Sequence, residues 1–148
     1  MSLTYGSEFL IFDKQNSRDI FNIQVANNLR LKKQDDLPNN NQLGAKTSNF
    51  VAEATYSPNK YLTSKYNIST KNNLYDINYE NLTAEVTINN FVTTFDYLNE
   101  NNNSDKNSYL SNKTAYKLDD SKSVSFSTRQ NKKTNLTEYY NLMYQYRN

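Results

Sequence analysis

Apolar residues in this chain recur at every second position and almost never at helical spacing. That restricts it to β-strands, each with one apolar and one polar face. The last stretch, TNLTEYYNLMYQYRN (134–148), displays the pattern. Leu136, Tyr140, Leu142, Tyr144 and Tyr146 share one parity, while Thr137, Asn141, Gln145 and Arg147 take the other for the most part. Phe21, Ile23, Val25, Leu29 and Leu31 form a second such row, broken at Asn27, and Phe50, Ala52, Ala54 and Tyr56 a third.

The rest of the chain divides in the same way. The polar run from Lys32 to Ser48 reads as a long loop, and SPNK (57–60) as a tight turn with Pro58 fixing φ. Strands are expected at 61–70 and 73–80, with a turn at 81–82. Residues 83–98 carry two phases, Ala84, Val86 and Ile88 and then Phe91, Thr93, Phe95 and Tyr97. The shift at Asn89–Asn90 reads as a bulge. NENNNSDKN (99–107) is a second long loop. A strand at 108–118, a short turn containing Asp119 and Asp120, a strand at 122–130 and the final strand complete eight from residue 21. A ninth is expected at 3–12. The fold class is all-β, an antiparallel meander of eight or nine long strands.

Composition narrows the chemistry. There is no His and no Cys, which excludes imidazole or thiolate metal sites, cysteine nucleophiles and a Ser–His–acid arrangement within these residues. No catalytic, metal or cofactor residue is expected, and Asp119 and Asp120 read as turn formers rather than a calcium site. Lys and Arg exceed Asp and Glu by only two, which gives no basic patch for nucleic acid. Thirteen Tyr and seven Phe argue against disorder despite the many asparagines. N-x-S/T triplets such as NLT (81–83) come cheaply in so Asn-rich a chain. No apolar run is long enough for a transmembrane helix, and the first residues do not read as a signal peptide.

Strands of 10–16 residues exceed the ~5–6 usual in soluble sheets and approach the ~9–11 that cross a bilayer when tilted. Both long loops fall on one end of the sheet, as in outer-membrane barrels. Two readings stay open on periodicity alone: a section of outer-membrane barrel, or a soluble surface β protein with an adhesin or carbohydrate-binding role.

Residues 125–148, SFSTRQNKKTNLTEYYNLMYQYRN, carry a further signal: a strand, a short loop beginning R-x-N, and an E-Y-Y-N-L-x-Y-x-Y-R-N strand. This resembles the late barrel segment of the outer-membrane LPS-assembly protein family (organic solvent tolerance proteins, LptD/OstA), most closely its alphaproteobacterial members. NLRLKKQDDLP (28–38) and LGAKTSNFVAEATYSP (43–58) are weaker matches, so the resemblance extends over nearly all the chain. It implies a non-enzymatic outer-membrane translocon that inserts lipopolysaccharide into the outer leaflet. Its implied partners are a lipoprotein plug and the periplasmic lipopolysaccharide-transport bridge, and it needs no cofactor. Residues 1–148 would then be an incomplete section of a large transmembrane β-barrel, lacking the periplasmic domain and the remaining strands. The motif residues are Arg129, Asn131, Glu138, Tyr139, Tyr140, Asn141, Tyr144, Tyr146 and Asn148. Lys132 and Lys133 join Arg129 as candidate contacts to lipid phosphates or lumenal acids, against a plain reading as solvated loop. Glu138 falls in the apolar parity and is expected near the headgroups.

Overall fold

A computed structural model describes residues 2–33, 36, 45–72, 74–101 and 106–147. Nine antiparallel strands follow one another in chain order in a single sheet: β1 (Ser2–Asp13), β2 (Arg18–Arg30), β3 (Phe50–Asn59), β4 (Leu62–Thr70), β5 (Ile77–Ile88), β6 (Phe91–Asn101), β7 (Lys106–Lys117), β8 (Lys122–Asn131) and β9 (Leu136–Tyr146). The sheet is open, with β1 and β9 as its two edges.

The strand count is as expected, but one division moves. No turn stands at 81–82, because β5 runs through those residues, and the phase shift at Asn89–Asn90 is a hairpin rather than a bulge. Ile88 and Phe91 are direct partners across the two-residue turn, so both point to one face although they differ in parity. Asn89 takes φ of 51°, a left-handed conformation that asparagine tolerates. The expected turn at 57–60 also slides. Pro58 lies in an irregular end of β3, and the Asn59 side chain accepts from the backbone N–H groups of Tyr61 and Leu62 to close the reversal.

One end of the sheet carries only tight connections: 14–17, 60–61, 89–90 and 118–121. The other carries 31–49, 71–76, 102–105 and 132–135. β6 and β7 run into the stretch expected as the long loop 99–107, leaving 102–105, and these, like most of 31–49, lie outside the described residues.

From β4 onward the register slides across the sheet. Ile11, Phe21, Tyr56, Ser64, Ala84, Phe95, Asn112, Thr128 and Tyr140 form one unbroken row of partners. Ile11 stands two residues from the Asp13 end of β1, whereas Tyr140 stands six from the Tyr146 end of β9. A progressive stagger in one direction is how tilted strands are arranged in a barrel wall.

There is no core. No hydrophobic side chain among the described residues is buried. The buried residues are Ser48, Asn49, Thr70, Asn78 and Ser108, all polar and all toward the long-loop end. A one-layer sheet has nothing to bury its apolar face against, so the usual driving force for folding in water is absent from these contacts.

Candidate functional site

The site is the sheet itself, as a wall with two chemically distinct faces. The register places the strand residues on one or the other. One face presents Leu3, Phe9, Ile11, Ile23 and Val25 on β1 and β2, then Ala54, Tyr56, Ile68 and Leu82. It continues through Val86, Phe95, Tyr116, Phe126, Leu142 and Tyr144. Its charged members among the described residues are Glu80 within a strand, with Asp13, Arg18, Lys106 and Lys122 at strand ends. The opposite face takes Glu8, Arg30, Glu53, Lys65, Glu85, Asp96, Glu100, Lys113 and Arg129.

Several polar groups that interrupt the apolar face are hydrogen-bonded to one another. Thr93 and Thr114 hydroxyls lie 2.8 Å apart, Asn112 Nδ2 donates to Thr93 Oγ1 at 3.1 Å, and the Thr114 hydroxyl donates to Asn112 Oδ1 at 3.2 Å. Tyr66 donates its hydroxyl to Glu80 at 2.8 Å. Asn27, the break in the β2 row, accepts from the Ser48 hydroxyl at 3.3 Å and donates to Asn72 Oδ1 at 3.5 Å. A polar group in an apolar surrounding is costly unless so paired.

The polar face is hollow. A trough of about 620 Å³ crosses β1 to β5, lined by Gly6, Glu8, Ala26, Val51, Glu53 and Asn67 among others. Gly6 is required there, since a Cβ would stand 2.3 Å from the Val25 carbonyl oxygen. A second trough of about 320 Å³ crosses β6 to β9, with Lys113, Ser125, Ser127, Tyr139 and Asn141 in its lining. Charge on this face is locally matched. Lys65 Nζ lies 2.9 Å from Glu53, Glu8 accepts from Asn22 and Gln24, and Asp96 accepts from Asn81 Nδ2 and the Thr83 hydroxyl, each at 2.9 Å.

The terminal motif separates into these two faces. Tyr140, Tyr144 and Tyr146 stand on the apolar face opposite Thr128, Val124 and Lys122, and Tyr140 stacks on Phe126 with centroids 6.3 Å apart. Tyr139 and Asn141 turn to the hollow face. Glu138 does not follow the apolar parity expected of it. Arg129 pairs with Tyr139 and Gln130 with Thr137, which leaves Glu138 as the extra residue of a bulge and re-aims it to the polar side. There its Oε2 lies 3.2 Å from Arg129 Nε, and its other oxygen accepts from Asn131 Nδ2 at 3.4 Å. Arg129 also covers the Tyr109 ring at 3.6 Å from the centroid.

Asn131 also shapes the 132–135 turn, where its Oδ1 accepts from the backbone N–H groups of Lys133 and Thr134. Lys132 and Lys133 sit in that exposed turn, whereas Arg129 is engaged by Glu138 and the Tyr109 ring. Asn148 lies outside the described residues. Sequence alone does not single out Tyr109 or the Thr93–Asn112–Thr114 group, because only the strand register brings them to their partners. Asp119 is a turn former: the Ser121 hydroxyl and backbone N–H both donate to its Oδ1, each at 2.8 Å, which holds its carboxyl below the ordinary range.

No family model and no curated protein matches this chain.

Proposed function

We propose that this chain is a section of transmembrane β-barrel wall, with the apolar face against lipid and the hollow polar face toward a lumen. The observation that carries the reading is the separation of charge. The strands place most of their charged side chains on the hollow face, while the other face is largely apolar, exposed, and hydrogen-bonded at several of the polar groups that interrupt it. Strand lengths, the register stagger and the division of connections between the two ends favour the same reading. The open edges at β1 and β9 would be met by further strands, because a sheet in hydrocarbon has to close.

Within that class, the R-x-N loop and the Tyr-rich final strand support the lipopolysaccharide translocon of the outer membrane. The chain then serves as non-enzymatic wall, cooperating with a lipoprotein plug and the periplasmic transport bridge. The Arg129–Glu138–Asn131 group fixes the long-loop end of the β8–β9 hairpin, and the motif tyrosines Tyr140, Tyr144 and Tyr146 face lipid.

Two measurements test the two levels. Circular dichroism in buffer and with a mild detergent should give strand signal and cooperative unfolding only with detergent. A monomer that unfolds cooperatively in plain buffer would favour a soluble adhesin or sugar-binding protein. Depleting the protein that carries this segment from its own cells should leave lipopolysaccharide short of the surface. Undiminished surface lipopolysaccharide would sink the translocon assignment and leave the wall reading intact.

A further inference from the structure

The described residues of the β4–β5 connection carry their own hydrogen bonds. Lys71 N–H donates to the Asp76 carbonyl and Leu74 N–H to the Lys71 carbonyl, both at 2.9 Å, and the Lys71 and Asp76 side chains face each other at 3.7 Å. Asn72 Nδ2 donates to the Thr47 carbonyl at 3.0 Å, and Asn72 Oδ1 accepts from Asn27. Asn27 belongs to the apolar row of β2, opposite Tyr5. The loop is therefore tied to the margin of the apolar face, not to the hollow one.

Its tip carries two large side chains. Leu74 is 61% exposed and Tyr75 is 91% exposed. Leu74 also holds φ of 61°, a region where a side chain crowds its own backbone and which glycine or asparagine occupies more easily. The chain has 26 asparagines, and the other three positive-φ positions among the described residues are Ser or Asn, yet leucine stands at the strained position of this loop. Strain of that kind persists where a side chain has a use.

We infer that Leu74 and Tyr75 form an interfacial lipid anchor. Leu74 enters the upper acyl layer beside the wall, and the Tyr75 ring lies at headgroup level. The anchor fixes the depth of the β4–β5 hairpin at the long-loop end, where the apolar face passes into the connections. It rests on the membrane-wall reading, and the experiment separates the two.

The chain has no tryptophan, so a single one reports its own surroundings. Tyr75→Trp and Phe126→Trp chains are each reconstituted into phosphatidylcholine vesicles with bromines near either the carboxyl or the methyl end of the acyl chains. The anchor predicts that Tyr75→Trp is quenched mainly by the shallow bromines, as fits a ring held ~5–10 Å into the headgroup boundary. Phe126→Trp, in the middle of the wall, should be quenched by the deep ones. Quenching of Phe126→Trp without Tyr75→Trp overturns the anchor and keeps the wall, and would turn attention to a protein partner for the loop. Quenching of neither overturns both. Leu74→Asn, added to Tyr75→Trp, should relieve the backbone, raising the unfolding temperature while reducing the shallow quenching. Undiminished quenching would remove Leu74 from the anchor.

Discussion

The two faces of the sheet are made by the same strands and the same hydrogen bonds, yet their polar groups are organised in opposite ways. On the hollow face charged residues are paired but remain hydrated, as with Glu53 and Lys65, whose side chains are both substantially exposed. On the apolar face several polar groups satisfy each other, and among the described residues the large side chains are left exposed: Leu142 is 74% exposed. On the membrane-wall reading, the sequence specifies two solvents and not an inside and an outside. A soluble sandwich would have covered the apolar row with a second layer.

The largest test of that contrast places the same charge on adjacent positions of one strand. Phe126→Arg should lower stability in a bilayer by about 2–4 kcal/mol, the cost of a cation at midplane on a lipid-facing row. Ser125→Arg or Ser127→Arg, on the hollow face, should change it by less than ~0.5 kcal/mol. Urea unfolding in vesicles measures both. Equal effects would erase the distinction between the faces.

The next effect concerns the Thr93–Asn112–Thr114 group. Asn112→Ala removes two of the group's three bonds, leaving only the Thr93–Thr114 pair, and should cost about 1 kcal/mol. The triple replacement Thr93→Val, Asn112→Leu, Thr114→Val should be close to neutral in vesicles, because all the partners are removed together. If the single change is as mild as the triple, water reaches that face.

Much of this organisation is legible from alternation alone, and what escapes it has a common cause. A two-residue hairpin and a one-residue bulge both shift the apolar phase by one, so Ile88–Asn89–Asn90–Phe91 admits either reading. Only the pairing of Ile88 with Phe91 decides it. Glu138 misleads for the converse reason: a bulge consumes a residue, and the alternation of β9 looks unbroken until its partner strand is known. Asn27 interrupts an apolar row on paper, but its partners, Ser48 and Asn72, are distant in sequence. Local pattern predicts strands well, whereas register is a property of pairs of strands.

A smaller effect belongs to the hairpin end of the hollow face. Arg129→Ala removes a partly exposed ion pair and the cover of Tyr109 together, and should cost about 1 kcal/mol. Glu138→Ala should cost less, since the ring contact remains, and the double variant should fall short of the sum. Additive losses in a double-mutant cycle would mean that Arg129 and Glu138 do not act together.

The smallest effect is a pH dependence at the tight-turn end. The folded Asp119 carboxyl is held below its ordinary pKa by the Ser121 donors. Its contribution is therefore present above the unfolded value of roughly 4 and is lost as pH falls through the lower folded value. Protection of the Ser121 amide, taken as the ratio to the same amide in an Asp119→Asn chain so that intrinsic exchange cancels, should be constant from neutrality to mild acid and fall as pH drops from the unfolded value through the lower folded one.

The central claim is that one face meets lipid and the other water, and β8 tests it most directly. The chain has no cysteine, so single cysteines at Val124 and Phe126, or at Ser125 and Ser127, can each carry a nitroxide in vesicles. Strict alternation is expected. Positions 124 and 126 should collide freely with oxygen dissolved in lipid and poorly with a water-soluble nickel chelate, and 125 and 127 the reverse. Labels at 124 and 126 shielded from both would indicate a packed core, and the membrane wall would be contradicted.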